Sequence, residues 1–485
     1  MAIVVTHSGP VRGVASGNSF RGIPYAAAPS GALRWKPPVQ PDSWSSPWDA
    51  TRFGPEPMQP RPKSGSCSED CLTVNVWTPQ ADRSAKLPVL VWFHGGGFAG
   101  GGAFDPANDG ASFASQGVVV VSFNYRVGIF GFLAHPELAK ESPQSTSGNY
   151  GLLDQLAALR WVQQNIEAFG GDPARVVVAG VSAGSASIAL LMTSPLAAGL
   201  FHAAILQSPG CFRPLALLDE AQAAGNAVGT VAHLRSLQSD ELLSAKQPLL
   251  VPAMRRLTGP RVLRPIVDGF VIGQQERTAY RQGKFAKVPI LVGTNTDEGS
   301  TLTRGWSVQG TDELAELIGR SFPHHRERAL DLYGTGDPAQ VAARVAAMFS
   351  DTQFQYGARA LAQTSAACQP NTFRYLFTRR KPGRADGPHH TDEVPYAFNN
   401  LSSLLPASGT NPADRELSAV MHRAWINFIR SDDPNGNGIP LWPPVGAQAR
   451  TYMEFGDRVG SASGWREAQL DLIEAHYAVQ DAVRA

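Results

Sequence analysis

Ser182 stands in Gly180-Val181-Ser182-Ala183-Gly184, the one G-x-S-x-G pentapeptide in 485 residues. An apolar run, Arg175 to Gly180, leads into it, and a helical run from Ala183 leads out. A serine on such a strand-to-helix turn is thrust outward at the carboxyl edge of a sheet. The flanking positions need glycine, because a side chain there would strike the neighbouring strand and helix. The helix N-terminus behind the serine favours negative charge on an attacked carbonyl. A serine hydroxyl attacks poorly unless a base removes its proton, and the resulting oxyanion needs preorganised donors. His94-Gly95-Gly96-Gly97-Phe98 offers such donors, since glycines let backbone N–H groups approach a substrate oxygen closely. Gly96 and Gly97, with the N–H of Ala183, predict a three-donor oxyanion hole. Each motif has a plainer reading, as a glycine-rich turn or as a flexible loop like the nearby Gly100-Gly101-Gly102. Their occurrence together, in this order, points to nucleophilic catalysis by Ser182.

The elements that must hold these residues are legible as continuous apolar runs. Val89–Phe93, Val118–Phe123, Arg175–Gly180, Ala203–Gln207 and Val288–Gly293 suit strands buried on both faces of a parallel sheet. Residues 149–169 carry Leu152, Leu153, Leu156, Leu159, Trp161, Val162 and Ile166 at helical spacing, and Gly170-Gly171 stops the run. Strand and helix alternate across most of the chain, which predicts an α/β architecture around a large, mostly parallel sheet. Eight prolines from Pro37 to Pro62 exclude long helices there. Residues 311–365 read as a mainly helical insertion, and no linker divides residues 1–485, so one domain is expected. Loops near 100–108, 210–260 and 300–350 are expected to wall the site.

Bulk properties narrow the class. A formal net charge of +1 gives no electrostatic case for nucleic acid or an anionic membrane as partner. The densest basic cluster, Arg379-Arg380-Lys381, reads as a solvated loop. Four cysteines in a chain this long make no disulfide framework, although Cys67 and Cys71 are close enough in sequence for a local bridge. No metal or other cofactor is called for. Met1 to His7 reads as a first strand rather than a signal peptide, and no apolar segment is long enough to span a membrane. A cytoplasmic location is expected.

Several stretches, in order, resemble the type-B carboxylesterase family, which includes bacterial para-nitrobenzyl-type esterases and the cholinesterases. They are Arg21–Ala26, Ser68–Leu72, His94–Phe98, Asn124–Gly128, Gly148–Asp154, Phe169–Pro173, Gly180–Gly184 and Asp297-Glu298-Gly299. The resemblance covers nearly the whole chain and implies an α/β-hydrolase fold with a triad in the order serine, acid, histidine. It selects Glu298 as the acid over Asp297 and Asp268. Gly387 to Phe398 resembles the family's histidine loop, where the base precedes a glutamate by three positions. That implies His390 as base with Glu393 as marker, and His389 pointing elsewhere. A rival set of metal ligands would be His389, His390, Asp392 and Glu393. The resemblance also implies a supporting role for Ser208 and two loop-holding ion pairs, Arg34 with Glu69 and Arg126 with Asp172. The family usually has glutamate where Val181 stands, so the resemblance implies neutral, fairly apolar small-molecule esters rather than choline esters. An amidase or carbamate hydrolase with the same triad is the neighbouring alternative. A binding protein on this fold is the alternative of a different class. The oligomeric state, monomer or homodimer, is left open.

Overall fold

Runs of Val, Ile and Leu without a polar side need cover on both faces. The computed structural model supplies that cover. It describes residues 2–15, 19–245, 257–381, 384, 386–403, 411–446 and 450–484. Ten of its strands form one sheet: β1 Ser19–Pro24, β2 Thr73–Trp77, β3 Leu87–Phe93, β4 Val119–Phe123, β5 Gly171–Val181, β6 Ala203–Gln207, β7 Ile290–Asn295, β8 Thr372–Phe377, β9 Thr451–Phe455 and β10 Val459–Ser463. Their order is β10-β9-β8-β7-β6-β5-β3-β4-β2-β1. The seven strands from β9 across to β4 run parallel, with antiparallel pairs at both margins. The expected first strand exists as Ile3–Val5, but it joins a separate small sheet with Pro10–Arg12 and Trp48–Asp49.

Alternation along the strands divides the core into two layers. Val89, Val91, Phe93, Val176 and Val178 face one way, onto α1 (Tyr150–Asn165) and α2 (Ala183–Leu191) through Leu152, Leu156, Leu159 and Ile188. Leu90, Trp92, Val177, Ala179 and Val181 face the other way. The 311–366 region contains α3 Thr311–Ser321, α4 Arg326–Tyr333, α5 Val341–Ser350 and α6 Tyr356–Ala366. One turn in it is wound wider than an α-helix, as Asp351–Gln355 forms a π-turn between α5 and α6. The second face of the sheet is covered by α7, Pro412–Ser431, through Met421, Trp425 and Phe428. Each fully buried side chain of this size contributes about 1.5–3 kcal/mol.

Parallel neighbours end on the same edge, and this sets the site. His94 to Phe98 follows β3, Ser182 follows β5, Ser208 follows β6, Glu298 lies just past β7, and the loop bearing His390 comes after β8.

Of the two expected ion pairs, Arg34–Glu69 is present: Arg34 Nε donates to Glu69 Oε2 at 2.8 Å, and Nη1 holds Leu237 O at 3.0 Å. The other is corrected. Arg126 pairs with Asp154 of α1, not Asp172, through Nε (2.8 Å), Nη2 (2.7 Å) and its backbone N–H (3.0 Å). Asp172 is the second residue of β5 and so lies at the opposite edge of the sheet, where its carboxylate accepts from Ala174 N at 2.9 Å. The basic cluster is also more than a solvated loop, because Arg379 pairs with Asp414 and Lys381 with Asp392. Cys67 and Cys71 are free thiols. No helix among the described residues is long and apolar enough to cross a membrane.

Candidate active site

Ser182 has φ 57° and ψ −120°, a backbone state few side-chain-bearing residues adopt. Such a conformation costs about 1–3 kcal/mol and persists only when its surroundings enforce it. Here Ser182 N donates to Gln207 O at 2.9 Å, and Ser185 Oγ ties the turn to Gln207 O at 2.8 Å. The flanking glycines leave no alternative: a Cβ on Gly184 would lie 2.1 Å from Phe93 O, and one on Gly180 2.9 Å from the same oxygen. Ser182 emerges into a cavity of about 600 Å³, which Gly96, Gly97, Ala183 and His390 also line.

The glycine loop packs directly against this elbow. A Cβ on Gly95 would meet Val181 O at 3.0 Å and Ser182 Cβ at 3.2 Å. Gly96 has φ +118°, and its Cβ would sit 2.0 Å from Gly100 O. Gly101 is likewise confined, 2.1 Å from Gly95 O by the same measure. Gly100-Gly101-Gly102 is therefore a packed support under the first loop rather than a flexible spare. His94 stacks on Tyr125 with ring centroids 4.2 Å apart, and Tyr125 OH donates to His94 O at 2.8 Å. Burial pushes the His94 imidazole down to about 4, so it is neutral at ordinary pH.

Glu298 is fully buried and its carboxylate is saturated with donors. Oε1 accepts from Ser208 Oγ at 2.6 Å and from Asn295 N at 2.7 Å, and Oε2 lies 2.5 Å from His390 Nδ1. Phe354, from the π-turn, lies against the His390 ring with centroids 4.5 Å apart. The competing carboxylates are engaged elsewhere. Asp297 Oδ1 accepts from Ser300 N at 3.0 Å, and Asp268 Oδ1 closes a turn by accepting from Val271 N and Ile272 N.

His389 turns away from the cavity. Its Nε2 meets Asp386 Oδ2 at 2.7 Å and its Nδ1 meets Arg384 Nη1 at 2.7 Å. Asp392 belongs to that second network, bonding Arg384 at 2.9 Å. Glu393 lies buried on the other side, accepting from Gln207 Nε2 at 3.0 Å and Asn295 Nδ2 at 2.6 Å. The four residues of the rival metal reading thus point to three different places. Burial, with the charge of Glu298 added, raises the Glu393 carboxyl to about 7. His422 is tied to Ala397 O at 2.8 Å.

The walls differ from expectation. Leu302, Trp306 and Phe349 come from the 300–350 region and Gly210 and Arg213 from the 210–260 region, of which 246–256 lie outside the described residues. The 100–108 loop is not part of the lining, whereas Arg261, Leu263, Arg264, Gln353 and Phe354 are. No motif marks those five. The one signal available was six arginines between positions 213 and 264, and nothing in the sequence separates the three that line the cavity from the others. Val181 is buried in the core layer beneath α7 and does not line the cavity.

A family model described as the carboxylesterase family matches residues 1–473. Among curated relatives, a fumonisin B1 esterase of Sphingopyxis macrogoltabida is 42% identical over 95% of this chain and 87% of its own. A para-nitrobenzyl esterase of Bacillus subtilis is 34% identical over 93% of this chain and 94% of its own. A solved para-nitrobenzyl esterase structure superposes with a TM-score of 0.84 at 31% identity, covering 97% of this chain and 99% of the other. A carboxylesterase of Geobacillus stearothermophilus does so at 0.84 and 34%, covering 97% and 100%. The chain belongs to the carboxylesterase family, has the α/β-hydrolase fold, and is a serine hydrolase of carboxylic esters.

Proposed function

We propose that Ser182, Glu298 and His390 are the catalytic triad of this esterase, with the N–H groups of Gly96, Gly97 and Ala183 as its oxyanion hole. The observation that carries the reading is the 2.5 Å contact between His390 Nδ1 and the buried Glu298, on a histidine that lines the same cavity as Ser182. With Nδ1–H given to the carboxylate, Nε2 is the acceptor left on the ring. His390 Nε2 takes the Ser182 proton as Oγ attacks the ester carbonyl. Glu298 holds the tautomer and stabilises the imidazolium. The three amides bind the tetrahedral oxyanion, each donor of this kind being worth about 10²–10³ in kcat. His390 then protonates the leaving alcohol. Water repeats the sequence on the acyl-enzyme and releases the acid. Ser208 positions Glu298 through its 2.6 Å hydrogen bond.

The rest of the chain serves this site as one α/β-hydrolase domain, with the helices between Thr311 and Ala366 as an insertion that carries part of the wall. Four free cysteines fit a reducing, cytoplasmic setting. The partner in this reading is a small-molecule ester. Purified enzyme should hydrolyse para-nitrophenyl butyrate, and Ser182→Ala should lower kcat by about 10⁴ or more. An organophosphate should add its mass to Ser182. Wild-type turnover in the Ser182→Ala enzyme would overturn the assignment.

A further inference from the structure

One end of the cavity is built from three guanidinium groups, Arg213, Arg261 and Arg264. Among the described residues none of the three has an ion-pair partner. Arg213 and Arg261 both donate to the same neutral acceptor, Gln353 Oε1, the latter at 3.2 Å. Arg213 Nε also holds Gly210 O at 3.1 Å. Among the described residues Arg264 has no hydrogen bond, and it leans on the Phe98 ring at 5.9 Å. Its head reaches the glycine loop, since a Cβ on Gly97 would lie 3.5 Å from Arg264 Nη2.

Gathering like charges in a partly desolvated cavity is unfavourable unless an anion offsets it. Burial lowers all three guanidinium groups from their ordinary value, with mutual repulsion adding to it for Arg261 and Arg264, and Arg261 falls to about 9. Glu276, the one carboxylate among the described residues whose charge bears on Arg213, compensates poorly. It is spent on Phe212 N at 2.6 Å, and burial raises it to about 7. A planar fork of N–H donors matches a carboxylate in geometry as well as charge.

We propose that this arginine cluster is a carboxylate-binding subsite, and that the preferred substrates are esters carrying a free carboxylate a few bonds from the scissile carbonyl. The expectation of neutral substrates rested on Val181, which faces the core. The apolar wall of Leu302, Trp306 and Phe349 then takes the uncharged remainder of the ester. This inference rests on the esterase site proposed above.

Two substrate pairs test it on wild-type enzyme and separate the two places the acid can sit. Mono-(4-nitrophenyl) glutarate against 4-nitrophenyl valerate puts the carboxylate on the acyl side. 4-Acetoxybenzoate against its methyl ester puts it on the alcohol side. In at least one pair the anionic member should exceed its neutral partner in kcat/KM by about tenfold or more, the worth of a hydrogen-bonded charge. Arg264→Gln should bring that ratio towards one, and Arg264→Lys should restore part of it. Free glutarate should inhibit wild type competitively, about tenfold more weakly in Arg264→Gln. Equal or faster hydrolysis of the neutral member in both pairs overturns the subsite and leaves the esterase site standing. Failure to hydrolyse any of the four esters overturns both.

Discussion

Replacing Glu298 by glutamine tests the orienting role of this carboxylate, and its consequence can be worked out atom by atom. In the wild type, Oε1 receives two donors, Ser208 Oγ and Asn295 N, and Oε2 faces His390 Nδ1. The Asn295 N–H is backbone and cannot reverse its polarity. The glutamine must therefore keep its oxygen at that position and turn its NH₂ towards His390. Nδ1 is then forced to accept, the ring proton moves to Nε2, and the nitrogen needed as base becomes a donor. The shape of the site is unchanged while its proton stands on the wrong atom. A tautomer error of this kind costs about 10⁴ in kcat, or roughly 5 kcal/mol of transition-state stabilisation. The assay is steady-state hydrolysis of para-nitrophenyl butyrate with kcat and KM resolved, beside a thermal melt. KM should stay within a few-fold, because Glu298 is buried behind the histidine and does not line the cavity. The double variant with Ser182→Ala should be no slower than Ser182→Ala alone, since residues acting as a unit are non-additive. A Glu298→Gln enzyme that kept kcat within about tenfold of wild type, while folded, would refute the tautomer argument.

Two further outcomes follow from the buried charges. Asp154→Asn, which leaves Arg126 buried without its carboxylate, should cost about 3–5 kcal/mol in urea unfolding, whereas Asp172→Asn should cost less than about 1 kcal/mol. Equal losses would contradict the pairing. Glu393 has its folded-state pKa raised to about 7 from an ordinary 4.5, so the native state holds the extra proton. Its stability contribution is full below about pH 4.5 and is lost as pH rises through 7, amounting to ~3 kcal/mol. Unfolding followed from about pH 5 to pH 9 should show that decline, and Glu393→Gln should flatten it whatever its absolute cost. An unchanged slope would place the titration elsewhere.

The sheet was legible because a strand buried on both faces cannot alternate in polarity, and Val89–Phe93 and Val118–Phe123 do not. The ends of such runs were less legible: the run read as Val288–Gly293 forms a strand at Ile290–Asn295, since pairing with β8 rather than hydropathy sets its end. Motifs compressed into one turn were also readable, because local backbone geometry demands particular residues, as at Gly180 and Gly184. Features assembled by distant segments were not. The Arg126 partner depends on which end of the sheet each carboxylate occupies, and that is a property of topology. One signal was present, a lone acid at Asp154 between Leu152 and Leu156 on the buried side of α1, where only a paired charge survives. The arginine cluster and the π-turn behind His390 left no such mark.

The costs of this structure collect along the edge where the chemistry lies. Ser182 and Ser208 both hold positive φ, at 57° and 49°, without being glycine. Glu298 and Glu393 are both fully buried, and three arginines share one wall without a counter-ion among the described residues. Each strained residue alone costs about 1–3 kcal/mol. The strands beneath them are sealed between two apolar layers. Strain, buried acids and unpaired bases therefore mark the site from opposite directions of the chain. The residues least favourable to folding thus include the proposed nucleophile Ser182, Glu298 and Ser208 behind the proposed base, and the three arginines of the inferred carboxylate subsite.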